Sequence, residues 1–244
     1  MALGVFLIGT IIAAMVINTH QQSTTDNPDF KGKWDFIADP KLPNVLIIGD
    51  SISIGYTLPV RERLRGKANV YRPMANDKPA NLGDTRVGIL MIDEWLGAQK
   101  WDVIHFNWGL HDLQYINWQE EASDKRDKIN GKISVTLAKY EQNMEELVTR
   151  LEATGATLIW ASTTVVPEGE KSRFAGDEIK YNGVSERIMK KHGIATDDLY
   201  TLTKSFSGRF SEYPNSVHYT EIGSEKIAEQ VAETIKQALP ATSH

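Results

Sequence analysis

Three short stretches carry side chains that can attack a carbonyl or move a proton. Ser51 follows the apolar run from Val45 to Ile48 and the pair Gly49 and Asp50, and the residues after it read as a helix. A serine placed where a buried strand hands over to a helix lies among the first helical N–H groups, which have no partner within the helix and can stabilise an anion. His218 stands in Asn215-Ser216-Val217-His218, just before the last helical segment, where an imidazole can serve as general base toward a serine hydroxyl. Gly83 precedes another helix start and offers a backbone that a substrate can approach closely, while Gly109-Leu110-His111-Asp112 follows a further apolar run. A hydroxyl, an imidazole and spare N–H donors are the parts of acyl transfer. Each stretch alone is weak, since a lone Gly-Asp-Ser is equally a helix cap.

The elements that must bring these residues together are legible as an alternation. Short unbroken apolar runs lie at 45–49, 68–71, 102–108, 156–163 and 193–196, and such runs suit strands covered on both faces. Helical patterns separate them. In the segment 134–155, Leu137, Tyr140, Met144, Leu147, Val148 and Leu151 share a face and Gly155 supplies the stop. Others cover 177–192, closed by Gly193, and 221–239, where Ile227, Val231 and Ile235 recur and Thr220 is the candidate N-cap. The alternation predicts a parallel sheet with helices on both sides, and in such sheets ligands gather beyond the carboxyl ends of the strands. Ser51 and the 109–112 stretch both fall at that edge. Residues 114–133 carry charges of both signs without a clean period and read as a long loop after the third strand.

Composition narrows the function classes. The chain has 244 residues, a formal charge of −5 and no run of Lys or Arg interleaved with aromatics, so no nucleic-acid partner is expected. Without cysteine it has no disulfide, thiolate metal site or cysteine nucleophile. Residues 1–20 hold an apolar run of the length of a signal h-region, with no Lys or Arg before it, and read as an export signal or short membrane anchor. A buried N-terminal helix is the alternative. A polar linker, 21–42, leads to a single domain, 43–240. The expected location is periplasmic or extracellular, with membrane contact only through the N-terminal segment.

Taken in order, the short stretches resemble the blocks of the SGNH hydrolases, also called the GDSL esterases and lipases. Gly49-Asp50-Ser51 matches the nucleophile block, Gly83-Asp84-Thr85 the second, Gly109-Leu110-His111-Asp112 the third, and Asn215 to His218 the last, Asp-x-x-His. The resemblance spans about residues 44–238. It implies a three-layer α/β/α sandwich around a five-stranded parallel sheet of flavodoxin-like type, a Ser51 nucleophile, a His218 base, and an oxyanion held by the N–H groups of Ser51 and Gly83 with His111. Asp50 and Asp112 are expected to stand behind the reacting groups, Asp50 ordering Ser51 from within its loop.

Two positions depart from the pattern. His111 stands where the family has an oxyanion-binding Asn, and a neutral imidazole still offers one N–H. Asn215 stands where the family has the Asp that orients the histidine. An uncharged amide there predicts slow turnover, because the same change in a serine protease lowers kcat by about 10⁴. On that expectation Asn215→Asp raises kcat. A Ser51–His218 dyad helped by a backbone carbonyl, a carboxylate from Glu212 or Asp198, and a weakened enzyme all remain open.

The function implied is hydrolysis of carboxylic esters, with O-deacetylation of a carbohydrate as the substrate reading, small-molecule or polysaccharide esters as partners, and no cofactor or metal. A lipase or lysophospholipase and a non-catalytic glycan-binding protein are the alternatives. A metal-dependent phosphoesterase would need a further cluster of His and Asp ligands, which His20, His105, His192 and His218 do not supply at paired metal spacing. Arg86 and residues 163–174 are candidates to line a pocket for a polar or acidic substrate. Trp108 and Trp118, on either side of the third block, are candidates to stack on sugars, whereas Trp34, Trp95, Trp101 and Trp160 read as packing residues.

Overall fold

The computed structural model describes residues 32–241 apart from Ala122 and Tyr213. The expected export segment and the linker as far as residue 31 lie outside the described residues. Residues 32–36 belong to a first unit, in which the Asp35 N–H donates to the Gly32 carbonyl, and a second unit begins at Ile37. The tail of the segment read as linker is hydrogen-bonded to this second unit: Asn69 accepts from Asp39 N–H at 2.9 Å and donates to the Asp39 carbonyl at 2.8 Å.

Five strands form one sheet: β1 (Asn44–Ile48), β2 (Asn69–Tyr71), β3 (Val103–Phe106), β4 (Thr157–Ala161) and β5 (Ala195–Asp197). Their order is β2-β1-β3-β4-β5 and every pairing is parallel. Val45 to Ile48 are almost fully buried, as are Val103 to Phe106, so these strands are covered on both faces as their unbroken apolar runs predict. Each large aliphatic side chain so buried contributes about 1.5–3 kcal/mol.

The connecting helices are α1 (Ser51–Arg63), α2 (Thr85–Leu96), α3 (Leu137–Glu152), α4 (Asp177–His192), the short α5 (Leu199–Lys204) and α6 (Glu221–Ala238). Helix α1 packs beside α6, and α2, α3 and α4 pack in a row. The face foreseen for α3 is the buried one, from Tyr140 through Leu151, although Leu137 at its start is exposed. The two ends of the segment read as a long loop, 114–133, are paired with each other. Tyr115–Ile116 pairs antiparallel with Lys132–Ile133, and Ile116 bridges to Arg126. Mixed charges hide this hairpin from a periodicity argument because its strands are only two residues long.

The strand order reverses between β1 and β3. The chain leaves β1 toward β2 on one side, while β4 and β5 continue on the other side of β3. The ends of β1 and β3 therefore flank the crevice in which doubly wound sheets bind ligands.

Candidate active site

Ser51 opens α1, directly after β1. Asp50 is its N-cap, with a side chain that accepts from Ile52 N–H at 2.9 Å. Beneath this turn lies a buried cation. Arg72 donates to the Gly49 carbonyl at 3.3 Å, to Ser53 Oγ at 3.2 Å, to Thr57 Oγ1 at 3.0 Å and to the Ala80 carbonyl at 2.8 Å. It thus ties the turn carrying Ser51 to the segment leading to Gly83, and burial lowers its guanidinium pKa to about 10.

His218 reaches Ser51 because α6, which follows it, packs against α1, which Ser51 begins. The helices approach closely at Gly55, where an added β-carbon would fall 2.8 Å from Ser224 Oγ, and Arg63 pairs with Glu225 at 3.0 Å. The backbone around His218 is pinned as well. Glu212 N–H donates to the His218 carbonyl at 3.1 Å, and Thr220 N–H donates to the Phe210 carbonyl at 2.9 Å. The result is a distance of 2.9 Å between Ser51 Oγ and His218 Nε2, across 167 residues of chain. That is proton-transfer range.

Asn215 does not hold the ring. Its amide is seated against Gly169, where an added β-carbon would fall 2.1 Å from Asn215 Oδ1. The group facing His218 Nδ1 is instead Ser216 Oγ, at 3.3 Å, and the same oxygen accepts the His218 backbone N–H at 3.1 Å. The two carboxylates considered as substitutes serve elsewhere or form no hydrogen bond to the ring among the described residues. Asp198 caps α5 and accepts from Ser162, while Glu212 lies at the cleft with its backbone alone bound to His218.

The third block is fixed from three directions. Gly109 lies so close to Thr163 that an added β-carbon would fall 2.0 Å from Thr163 Oγ1, so only glycine fits. The Leu110 carbonyl accepts from Arg173 Nε at 2.7 Å. Asp112 Oδ1 accepts from Thr85 N–H at 3.0 Å and Thr85 Oγ1 at 2.5 Å, joining the block to the start of α2. Asp112 is fully buried with no partner on Oδ2 among the described residues, and burial raises its pKa to about 7. Burial also pushes the His111 imidazole below its usual range, with Arg173 adding to the effect, which keeps the ring neutral and leaves it one N–H to donate.

A cleft of about 630 Å³ opens over Ser51, His111 and His218. Gly83 is not on its wall. Asn81 is, and its side-chain oxygen takes the Gly83 N–H at 3.3 Å. Arg86 is also outside the cleft, paired with Asp84. The loop after β4 does reach it, through Glu170, Lys171 and Arg173. Arg126 joins them from the hairpin region; it and Lys171 both contact Asp124, at 2.8 and 3.0 Å.

Trp108 is 1% exposed and packed under Gly88 of α2, so it has no face to offer a sugar. Trp118 is exposed but away from the cleft wall, with Lys125 over its ring. Arg72 and Ser216 escaped the sequence reading, and Arg173 entered it only as part of the 163–174 loop, without its tie to the third block. Buried cations look like surface residues in a sequence, and Ser216 was hidden by the more familiar position beside it.

Other histidines among the described residues are engaged elsewhere. His105 pairs with Asp197 at 3.0 Å in the core, and His192 lies between Glu145 and Glu152. No three His, Asp or Glu side chains form a metal-ligating group among the described residues, and no helix there is long and apolar enough to cross a membrane.

Comparison with solved structures identifies the fold. A lipase/acylhydrolase from Enterococcus faecalis superposes with a TM-score of 0.64 at 16% identity, covering 83% of this chain and all of that one. An acetyl xylan esterase, AlAXEase, gives 0.62 at 14% identity, covering 79% and 99%. An acetylxylan esterase from Geobacillus stearothermophilus gives 0.59 at 18% identity, covering 79% and 94%. No family model and no curated protein sequence matches the chain.

Proposed function

We propose that the chain is an SGNH-type serine esterase that hydrolyses carboxylic esters through an acyl-enzyme. The observation that carries this reading is the 2.9 Å contact between Ser51 Oγ and His218 Nε2, both of which line an open cleft. Ser51 Oγ attacks the ester carbonyl as its proton passes to Nε2. The tetrahedral oxyanion is met by the Ser51 N–H at the start of α1 and the N–H of neutral His111. Gly83 N–H, expected as a third donor, is off the cleft wall and held by Asn81, so the two donors at Ser51 and His111 carry this step. As the intermediate collapses, the C–O bond to the alcohol breaks and the imidazolium returns its proton to the departing oxygen. Water then attacks the acyl-enzyme by the same steps in reverse, releasing the acid and Ser51.

For substrate the reading is an O-acetylated carbohydrate. The cleft is walled by charged and amide side chains rather than an apolar tunnel, and two of the superposed structures are acetyl xylan esterases. The apolar segment 1–20 supports a place outside the cytoplasm.

The test is hydrolysis of 4-nitrophenyl acetate and a panel of acetylated oligosaccharides by the native chain and Ser51→Ala, with organophosphonate labelling of Ser51. The expected result is labelling of the native chain and a loss in kcat of at least about 10³-fold in the variant. Equal rates in the two, with no label, would remove the esterase reading. Hydrolysis confined to the aryl ester would remove the carbohydrate.

A further inference from the structure

We infer that Ser216 is the positioning residue of the catalytic imidazole, replacing the side chain at position 215 in that role. The inference rests on the esterase reading of Ser51 and His218 and assigns the third member of the relay.

When Nε2 accepts the Ser51 hydroxyl, a neutral imidazole carries its proton on Nδ1, and that N–H needs an acceptor. Ser216 Oγ is the polar atom that meets it, at 3.3 Å. The hydroxyl oxygen has two lone pairs. One receives the backbone N–H of His218 itself, at 3.1 Å, which anchors Oγ close to the residue it must hold. The other lies free for Nδ1–H. Ser216 thus fixes the ring from a position two residues earlier, within a turn that Glu212 N–H closes on the His218 carbonyl.

Asn215 is removed from this role by its own packing. Its amide occupies the space over Gly169 that any larger residue there would need, with Oδ1 the atom lying nearest to an added β-carbon. It faces the loop after β4, and it lines the cleft rather than the imidazole edge.

The chemistry differs from a carboxylate-held histidine in one respect. A hydroxyl orients the ring and selects its tautomer but adds no negative charge opposite the imidazolium. Ser216 therefore supplies the alignment part of the role and leaves the electrostatic part unfilled.

The experiment uses ¹⁵N-labelled full chain and reads the His218 ring by long-range ¹H–¹⁵N correlation, assigned by comparison with His218→Gln, alongside kcat and KM on 4-nitrophenyl acetate. In the native chain the proton is expected on Nδ1. Ser216→Ala is expected to move the ring to a mixture of tautomers and to lower kcat about three- to tenfold, the worth of one neutral hydrogen bond, with KM within about twofold. Ser216→Thr, which keeps the hydroxyl, is expected to restore both. Asn215→Ala is expected to leave the tautomer unchanged.

A tautomer shift in Asn215→Ala with none in Ser216→Ala would overturn the assignment. So would a native ring protonated on Nε2. Because the spectrum needs no turnover, a chain that fails to hydrolyse any ester while showing the Ser216-dependent tautomer would refute the esterase reading and leave the contact standing.

Discussion

The carboxyl of Asp112 should make the stability of the fold fall as pH rises through neutrality, and Asp112→Asn should abolish that fall. The side chain is fully buried, Oδ1 receives the Thr85 N–H and hydroxyl, and Oδ2 has no partner among the described residues. Burial lifts its pKa from 3.8 to about 7 in the folded chain. A carboxyl whose folded pKa is raised favours folding while it is protonated, so its contribution is complete below the unfolded value and vanishes above the folded one. Integrated between pH 5 and pH 8, the linkage amounts to about 2–3 kcal/mol. In Asp112→Asn the amide oxygen still accepts from Thr85, and the buried Nδ2 costs the same at every pH, so that cost cancels from the difference. Urea unfolding of both proteins at pH 5, 6, 7 and 8 measures it, with the native chain losing about 2–3 kcal/mol relative to the variant across the series. Parallel curves, with the gap changing by less than about 0.5 kcal/mol, would refute the reasoning.

Three further outcomes follow from the same geometry. Arg72→Met should destabilise by about 3 kcal/mol, because it strands the Gly49 and Ala80 carbonyls that Arg72 now satisfies, and urea unfolding at pH 7 reads this directly. His111→Ala should lower kcat by about 10²-fold while His111→Asn retains most of the rate, if the ring serves as an N–H donor; equal losses in steady-state assays would deny it that role. Asn215→Asp should gain less than about threefold in kcat, far from the 10⁴ that a family-type Asp would imply, because the side chain is turned onto Gly169.

The sheet was legible because burial on both faces imposes a continuous apolar run, and each of β1, β3 and β4 carries one. The approach of Ser51 to His218 was legible in part: once both are placed at the carboxyl edge of one parallel sheet, the packing of α6 on α1 is all that remains. What the sequence hides are groups whose role depends on partners far along the chain. Arg72 works through residues 8–23 positions away and Arg173 through Leu110, 63 away, so their charges look like ordinary surface charges when read locally. Trp108 misled for the converse reason. Its neighbourhood to the third block is real, but the indole lies under α2, and sequence adjacency does not say which side of a backbone a ring takes.

These ties also explain why the fourth block can depart from the SGNH pattern it resembles without separating Ser51 from His218. The turn before Ser51 is held by Arg72, the third block by Arg173 and Asp112, and each tie uses a buried charged or titratable group whose loss strands several partners. His218 is placed differently. Its backbone is fixed by the pairing of residues 210–212 with 218–220 and by the seat of α6 on α1, and only its ring orientation is left to a side chain. A single hydroxyl suffices for an orientation, whereas it does not suffice for a charge. The acidic partner at position 215 can thus be absent while the 2.9 Å contact survives, and on the esterase reading the cost falls on the rate of proton transfer and not on the fold.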